Sequence, residues 1–315
     1  QALTLLAFLY GYRPTTILFE EPDAHLHVNL QREILDFFKR KSNETRTQFI
    51  IATHSEAVIN AVELPQIISL LSNEPKRITH IKPVVEAMAN IPNDLITSLI
   101  SSPYIIYVEG ENDERIIRSW AATLDAQGIM EKLCFHCMHG GNKELMKNMA
   151  DDQFNAIKQI IPEVKRMMLF DYDDDSKAFK PDPNNKVLFE WKRKNIDNYL
   201  LVPDPWKRAI RNSLLPLFSD NAERVIDDFF KRERLTLQEN ESWQTVDVDV
   251  FKRVDGKSLL FDSPKSLFNL LRTQTSVSIK REDVAMQMTS TEIHNDVHDF
   301  FSKLVELCND EKKDE

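Results

Sequence analysis

Residues 166–175 read Arg-Met-Met-Leu-Phe-Asp-Tyr-Asp-Asp-Asp, an apolar run that ends on four carboxylates within five positions. Four consecutive apolar residues, Met167 to Phe170, suit a strand buried on both faces, as in a parallel sheet flanked by helices. In such sheets ligands gather beyond the carboxyl ends of the strands, where these acids begin. Asp171 and Asp173 are two residues apart, so on an extended strand end both side chains leave on one side and can converge on one cation. Hard oxygen donors at that spacing favour Mg²⁺ or Mn²⁺. The plainer alternative is an acidic loop that caps the strand and is simply solvated.

A second strand with an acidic end lies near the start. Thr16-Ile-Leu-Phe-Glu20 reads as a short buried strand, followed by Glu21-Pro-Asp23-Ala-His-Leu-His and a helix over about 24–40. An apolar strand followed by paired acids is the Walker B arrangement of a nucleotide-hydrolysing domain. The first acid, Glu20, holds Mg²⁺ through water; the second, Glu21, orients the attacking water. Gln48-Phe-Ile-Ile-Ala-Thr53 is the next strand, and His54 at its carboxyl end is placed to contact a γ-phosphate. Further short strands are expected at 67–71 and 78–82, closing this sheet, with a helical connector over 83–103. Residues 1–10 read as a helix apolar on most of its circumference, stopped by Gly11. A helix so apolar needs a core around it, so the chain reads as the remainder of a longer protein.

Taken in order, Phe-Glu-Glu-Pro-Asp-Ala-His-Leu-His and Ile-Ala-Thr-His-Ser resemble the second half of an ABC-type ATPase domain. The variety is that of the overcoming-lysogenisation-defect (OLD) nucleases and the Gabija nuclease subunit. The resemblance makes Glu20 and Glu21 the Walker B acids, places Asp23 in the D-loop and makes His54 the switch histidine. No Gly-x-x-x-x-Gly-Lys-Ser/Thr occurs in the 315 residues, so nothing here cradles β- and γ-phosphates. ATP is therefore expected as a cofactor of the full-length protein alone.

Beyond the connector, Tyr104-Ile-Ile-Tyr-Val delivers Glu109 to a strand end. Gly110 is expected to permit a sharp turn, and Asp113 to lie one turn into a helix over about 112–127. Strand 133–138, the turn Gly140-Gly141, a helix over about 142–160 and the Asp171 strand complete an alternation that predicts a small parallel sheet with helices on both faces. The fold class is α/β.

This second pattern resembles the Toprim domain shared by topoisomerases, primases and OLD nucleases. The resemblance implies that Glu109, Asp171 and Asp173 are catalytic metal ligands, with Asp113 the further acid of the OLD branch. Lys192-Arg-Lys-Asn-Ile-Asp-Asn-Tyr resembles that branch's Arg-Glu-Ile-Glu-Asn-Tyr. Asp197 takes the place of the last Glu and, with Asp113, joins Glu109, Asp171 and Asp173 as an implied ligand of two metal ions; Asn195 stands where an acid is usual. Gly256-Lys257 resembles the late Gly-Lys that supplies a catalytic lysine. Four regions follow: 1–85, the later part of the ATPase domain; 86–102, a connector; 103–260, the Toprim domain; and 261–315, a helical region whose apolar faces (Val297, Phe300, Phe301, Leu304) read as packing.

The implied function is a DNA endonuclease or nickase with two Mg²⁺ or Mn²⁺ ions per site. The resemblance implies governance by the ATPase domain and a role in anti-phage defence, with DNA, a second copy of the chain and a defence-system protein or nucleic acid as partners. The competing reading is an ATP-gated DNA clamp without nuclease activity. The net charge of −10 speaks against indiscriminate adhesion to nucleic acid, but bases cluster at Lys192-Arg193-Lys194 and Lys252-Arg253, the expected DNA contacts. Further clusters occur at Lys207-Arg208 and Lys231-Arg232. Three cysteines cannot all pair, which suits a reducing cytoplasm. Zinc on Cys134, His136, Cys137 and His139 is disfavoured, because strand alternation turns the first two away from the last two.

Overall fold

The computed structural model describes residues 11–12, 14–22, 26–53, 55–70, 75–77, 93–138, 141–172, 187–213 and 216–309. Asp23, His54, His139, Asp173, the helix expected at 1–10, the strand expected at 78–82 and the acidic tail after 309 lie outside them. The chain divides into two compact units: 1–101 with 153–163, and 102–152 with 164–315. It is an α/β protein with parallel sheets. Among the described residues no helix is long and apolar enough to cross a membrane.

In the first unit, β1 (Thr16–Glu20) and β2 (Gln48–Ala52) pair in parallel, Thr16 opposite Gln48 and Glu20 opposite Ala52. Helix α1 (Val28–Thr45) is the crossover between them. One sheet face carries Ile17, Phe19 and Phe49. Phe38 of α1 stacks on both rings, its centroid 5.1 Å from each. Residues β3 (Ile68–Ser69) and β4 (Lys76–Arg77) form a separate antiparallel ladder. The expected closure of the first sheet by two more strands is thus not seen among the described residues. The observed second partner also precedes the 78–82 segment.

The second unit is built on four parallel strands: β5 (Tyr104–Val108), β6 (Leu133–Cys137), β7 (Lys165–Phe170) and β8 (Leu188–Glu190), in the order β6-β5-β7-β8. Helix α2 (Glu111–Thr123) follows β5, and α3 (Lys143–Ile160) connects β6 to β7. All five residues of β5 are buried, as are Met167–Phe170 of β7. Strands covered on both faces need no alternation, which is why both read as unbroken apolar runs.

Ile106, Val108, Met167 and Leu169 share one core with the C-terminal helices, including α5 (Asn295–Asn309) after α4 (Arg281–Met286). Val297, Phe300, Phe301 and Leu304 are buried in it, as their spacing predicts. Its centre is aromatic: Trp191 lies 5.0 Å from Tyr199, 5.3 Å from Phe300 and 6.5 Å from Trp120 between ring centroids. The helical tail therefore belongs to the same hydrophobic body as the sheet.

Candidate functional site

Strands β5 and β7 are neighbours, so their carboxyl ends deliver Glu109 and Asp171 side by side. The Asp171 N–H donates to Glu109 Oε1 at 2.9 Å, and Asp171 Oδ1 accepts from the Ile196 N–H at 3.2 Å. Asp113 sits in the first turn of α2, its Oδ2 accepting from the Gly110 N–H at 2.6 Å. Gly110 itself is extended (φ −152°), so the expected sharp turn is not a left-handed one; its N–H, rather than its missing side chain, is what the corner uses. Three carboxyls are thus each oriented by one backbone amide.

Burial and mutual repulsion both act on these carboxyls. Burial, then Glu109, Asp113 and Asp197, drive the Asp171 carboxyl well above the usual carboxylate range. Burial also lifts Asp113, with Glu109 and Asp197 adding to it and Gly110 opposing, to about 7. The stability consequence follows by proton linkage. An unfolded Asp113 releases its proton near 3.8, the folded one near 7, so between those pH values the folded chain holds the extra proton. Cation-free stability should therefore fall as pH rises from about 4 to about 7, by a contribution on the order of a few kcal/mol. Melting curves in chelator across that range should show the slope in the parent and a flatter one in Asp113→Asn; parallel slopes would contradict it.

The segment 192–199 closes over this strand end. Asp197, 3% exposed, meets Arg281 of α4, Nε to Oδ1 2.7 Å. Burial raises the Asp197 carboxyl and Arg281 opposes that. Asn195 Nδ2 donates to Asp255 Oδ1 at 3.2 Å, while its Oδ1 is buried without a hydrogen-bond partner. Asn198 is fully buried. Its Nδ2 donates to the carbonyls of Phe251 and Val254, each at 2.8 Å, and its Oδ1 accepts from the Gly256 N–H at 3.1 Å. One amide thereby holds the loop that presents Lys257. The Lys257 charge lowers the proton affinity of both Asp113 and Asp197. Its Nζ lies 4.0 Å from Asp262.

The expected DNA-contacting bases are not all on the surface. Arg193 is 2% exposed and turned inward: its guanidinium donates to the Asn198 and Val246 carbonyls and lies 4.9 Å from the Tyr199 ring centroid. Lys192, Lys194, Lys252 and Arg253 stay at the surface, with carboxylates of Asp299, Asp255, Asp247 and Asp249 within 4.0 Å. The Lys194 N–H to Lys252 carbonyl bond, 2.8 Å, brings the two basic stretches together.

In the first unit, Glu20 and Glu21 stand at the carboxyl end of β1, and the Glu21 N–H donates to the Ala52 carbonyl of β2 at 2.8 Å. The same sheet end thus presents the acids and the carboxyl end of β2. Glu21 has φ +45°, a left-handed backbone that a side chain bears at a cost of about 1–2 kcal/mol. Strain of that kind concentrates at functional corners.

Several residues had no signal of their own in the sequence. Arg281 sat in a stretch read as packing. Strand β8 is only three residues long, and its Glu190 forms a buried pair with Lys143 at 2.7 Å. None of the three cysteines is in a disulfide. Among the described residues no group of three or more His, Cys, Asp or Glu side chains is set to hold a metal ion. What Glu109, Asp113 and Asp171 offer a cation is their chemistry: hard oxygens, oriented by amides, repelling one another. Asp173 lies outside the described residues.

A family model described as "AAA domain, putative AbiEii toxin, Type IV TA system" matches residues 1–60. That stretch is an AAA-type, ATPase-like region. Comparison with curated proteins finds no match for the chain.

Proposed function

We propose that the second unit is a Toprim-type, metal-dependent nuclease centre acting on DNA, coupled to the ATPase-like region, in a protein resembling the OLD nucleases. The observation that carries this reading is the meeting of Glu109, Asp113 and Asp171 at one end of a parallel sheet, where burial and the neighbouring carboxylates raise the proton affinity of Asp113 and Asp171. Acids assembled at such a cost are explained by a divalent cation that they would hold together. Mg²⁺ or Mn²⁺ bound there supplies Lewis-acid polarisation of a phosphate oxygen and a more acidic water.

Hydrolysis adds a water oxygen to phosphorus and breaks one P–O ester bond; one of the water's protons ends on the departing oxygen and the other on the new phosphate or in solvent. Glu109 and Asp171 orient the reacting groups through amide-fixed carboxylates. Lys257, held by the Asn198-braced loop, sets a positive charge where the phosphate gains negative charge. Lys192, Lys194, Lys252 and Arg253 form the surface along which a DNA backbone would run. Glu20, Glu21, Asp23 and His54 would act on ATP in the full-length protein.

Supercoiled plasmid incubated with the chain and Mg²⁺ or Mn²⁺ should become nicked or linear, and chelator should stop the reaction. DNA binding in a mobility-shift assay without any nicking would favour the clamp.

A further inference from the structure

We infer that Arg281 stands in for a second cation at the acid-ended sheet, so that the site takes one divalent ion. The inference rests on the metal-site reading above and departs from the two ions that the family resemblance implies.

The family resemblance gives the second ion to positions 195 and 197, and among the described residues neither is available as such. At 195 the residue is an amide. Its Nδ2 must face the acceptor-only carboxylate of Asp255, so the amide orientation is fixed, and the buried Oδ1 adds an oxygen but no charge. At 197 the carboxylate is buried and already carries the Arg281 Nε–H at 2.7 Å.

Arg281 is itself held from two further sides. Its Nη2 donates to Asp262 Oδ1 at 3.0 Å, and its guanidinium lies 4.1 Å from the Phe261 ring centroid; only 13% of the side chain is exposed. A guanidinium stays charged at any accessible pH and is fixed by a planar fork. A metal at Asp197 would have to share the carboxylate with this guanidinium and its full positive charge, or open the pair and leave a largely buried cation short of one partner, and either is unfavourable. Asp197 thus neutralises an arginine while Glu109, Asp113 and Asp171 keep their claim on an ion.

Mn²⁺ titration of the whole chain, followed by the electron paramagnetic resonance signal of free Mn²⁺, counts the ions directly and needs no activity. The parent should bind one Mn²⁺. Asp197→Asn should also bind one, with a Kd changed by less than about threefold, whereas Arg281→Gln should gain a second, weaker ion. Two ions on the parent would overturn the inference and leave the metal site standing. None would remove the metal-site reading and this inference with it. Loss of the ion in Asp197→Asn, or a count of one in a folded Arg281→Gln, would likewise overturn it. Asp197→Asn decides the matter alone where Arg281→Gln does not fold.

Discussion

Asp171→Ala should reduce Mg²⁺-dependent DNA cleavage by on the order of a thousandfold and leave the cation-free protein as stable as the parent, or more so. The two effects have separate origins. The Asp171 side chain contributes one hydrogen bond to the fold, from the Ile196 N–H at 3.2 Å, worth about 1 kcal/mol. Against that stand repulsion from Glu109, Asp113 and Asp197 and the burial of the carboxyl, both of which favour its protonated form. Removing the side chain relieves these, while the Asp171 N–H still reaches Glu109. DNA affinity should change little, because the basic surface stands on other segments. An acid whose task is to cap a strand behaves oppositely: its loss lowers the melting temperature with or without metal. Parent-like cleavage by the variant, or a clear cation-free destabilisation, would therefore return these acids to a structural role.

How far the sequence reveals this arrangement depends on the range of the interaction. The parallel sheet is legible because β5 and β7 are buried on both faces, and that condition writes itself as apolar runs within five or six residues. Glu109 and Asp171 are legible because they end those runs. Helix α2 is legible from its acidic first turn. Its end is less so: the chain leaves the helix through Asp125 at φ +53°, a position without a glycine to mark it.

Arg193 shows the opposite case. Its neighbours Lys192 and Lys194 make it look like part of a surface patch, but the cavity for its guanidinium is built by Val246, Asn198 and two rings, over separations of 5 to 58 residues. No local pattern carries that information. Arg281 and Asp197, 84 positions apart, meet for the same kind of reason. The two-ion expectation came from family resemblance, and it is these long-range pairings that bear against the second ion.

Gly256→Ala should be strongly destabilising, with a loss of about 3 kcal/mol or more. Its backbone is not left-handed, so the requirement for glycine is spatial. A Cβ there would sit 2.6 Å from Asn198 Oδ1, 2.8 Å from the Asn198 N and 3.0 Å from its Cα. Two of those atoms are backbone and cannot swing aside, and Asn198 is fully buried and pinned by the Phe251 and Val254 carbonyls. Relief would have to come from pushing the 254–257 loop away. That would break the Gly256 N–H to Asn198 bond, leave a buried amide oxygen short of its donor and move Lys257 off the acids. Stability and cleavage should therefore fall together, unlike the Asp171 case, where they part. Lys257→Ala is the matching control. Its side chain is 57% exposed, so cleavage should drop while the melting temperature holds. If Gly256→Ala melts with the parent and still cuts, the close approach to Asn198 does not govern the loop, and Lys257 is positioned by something else.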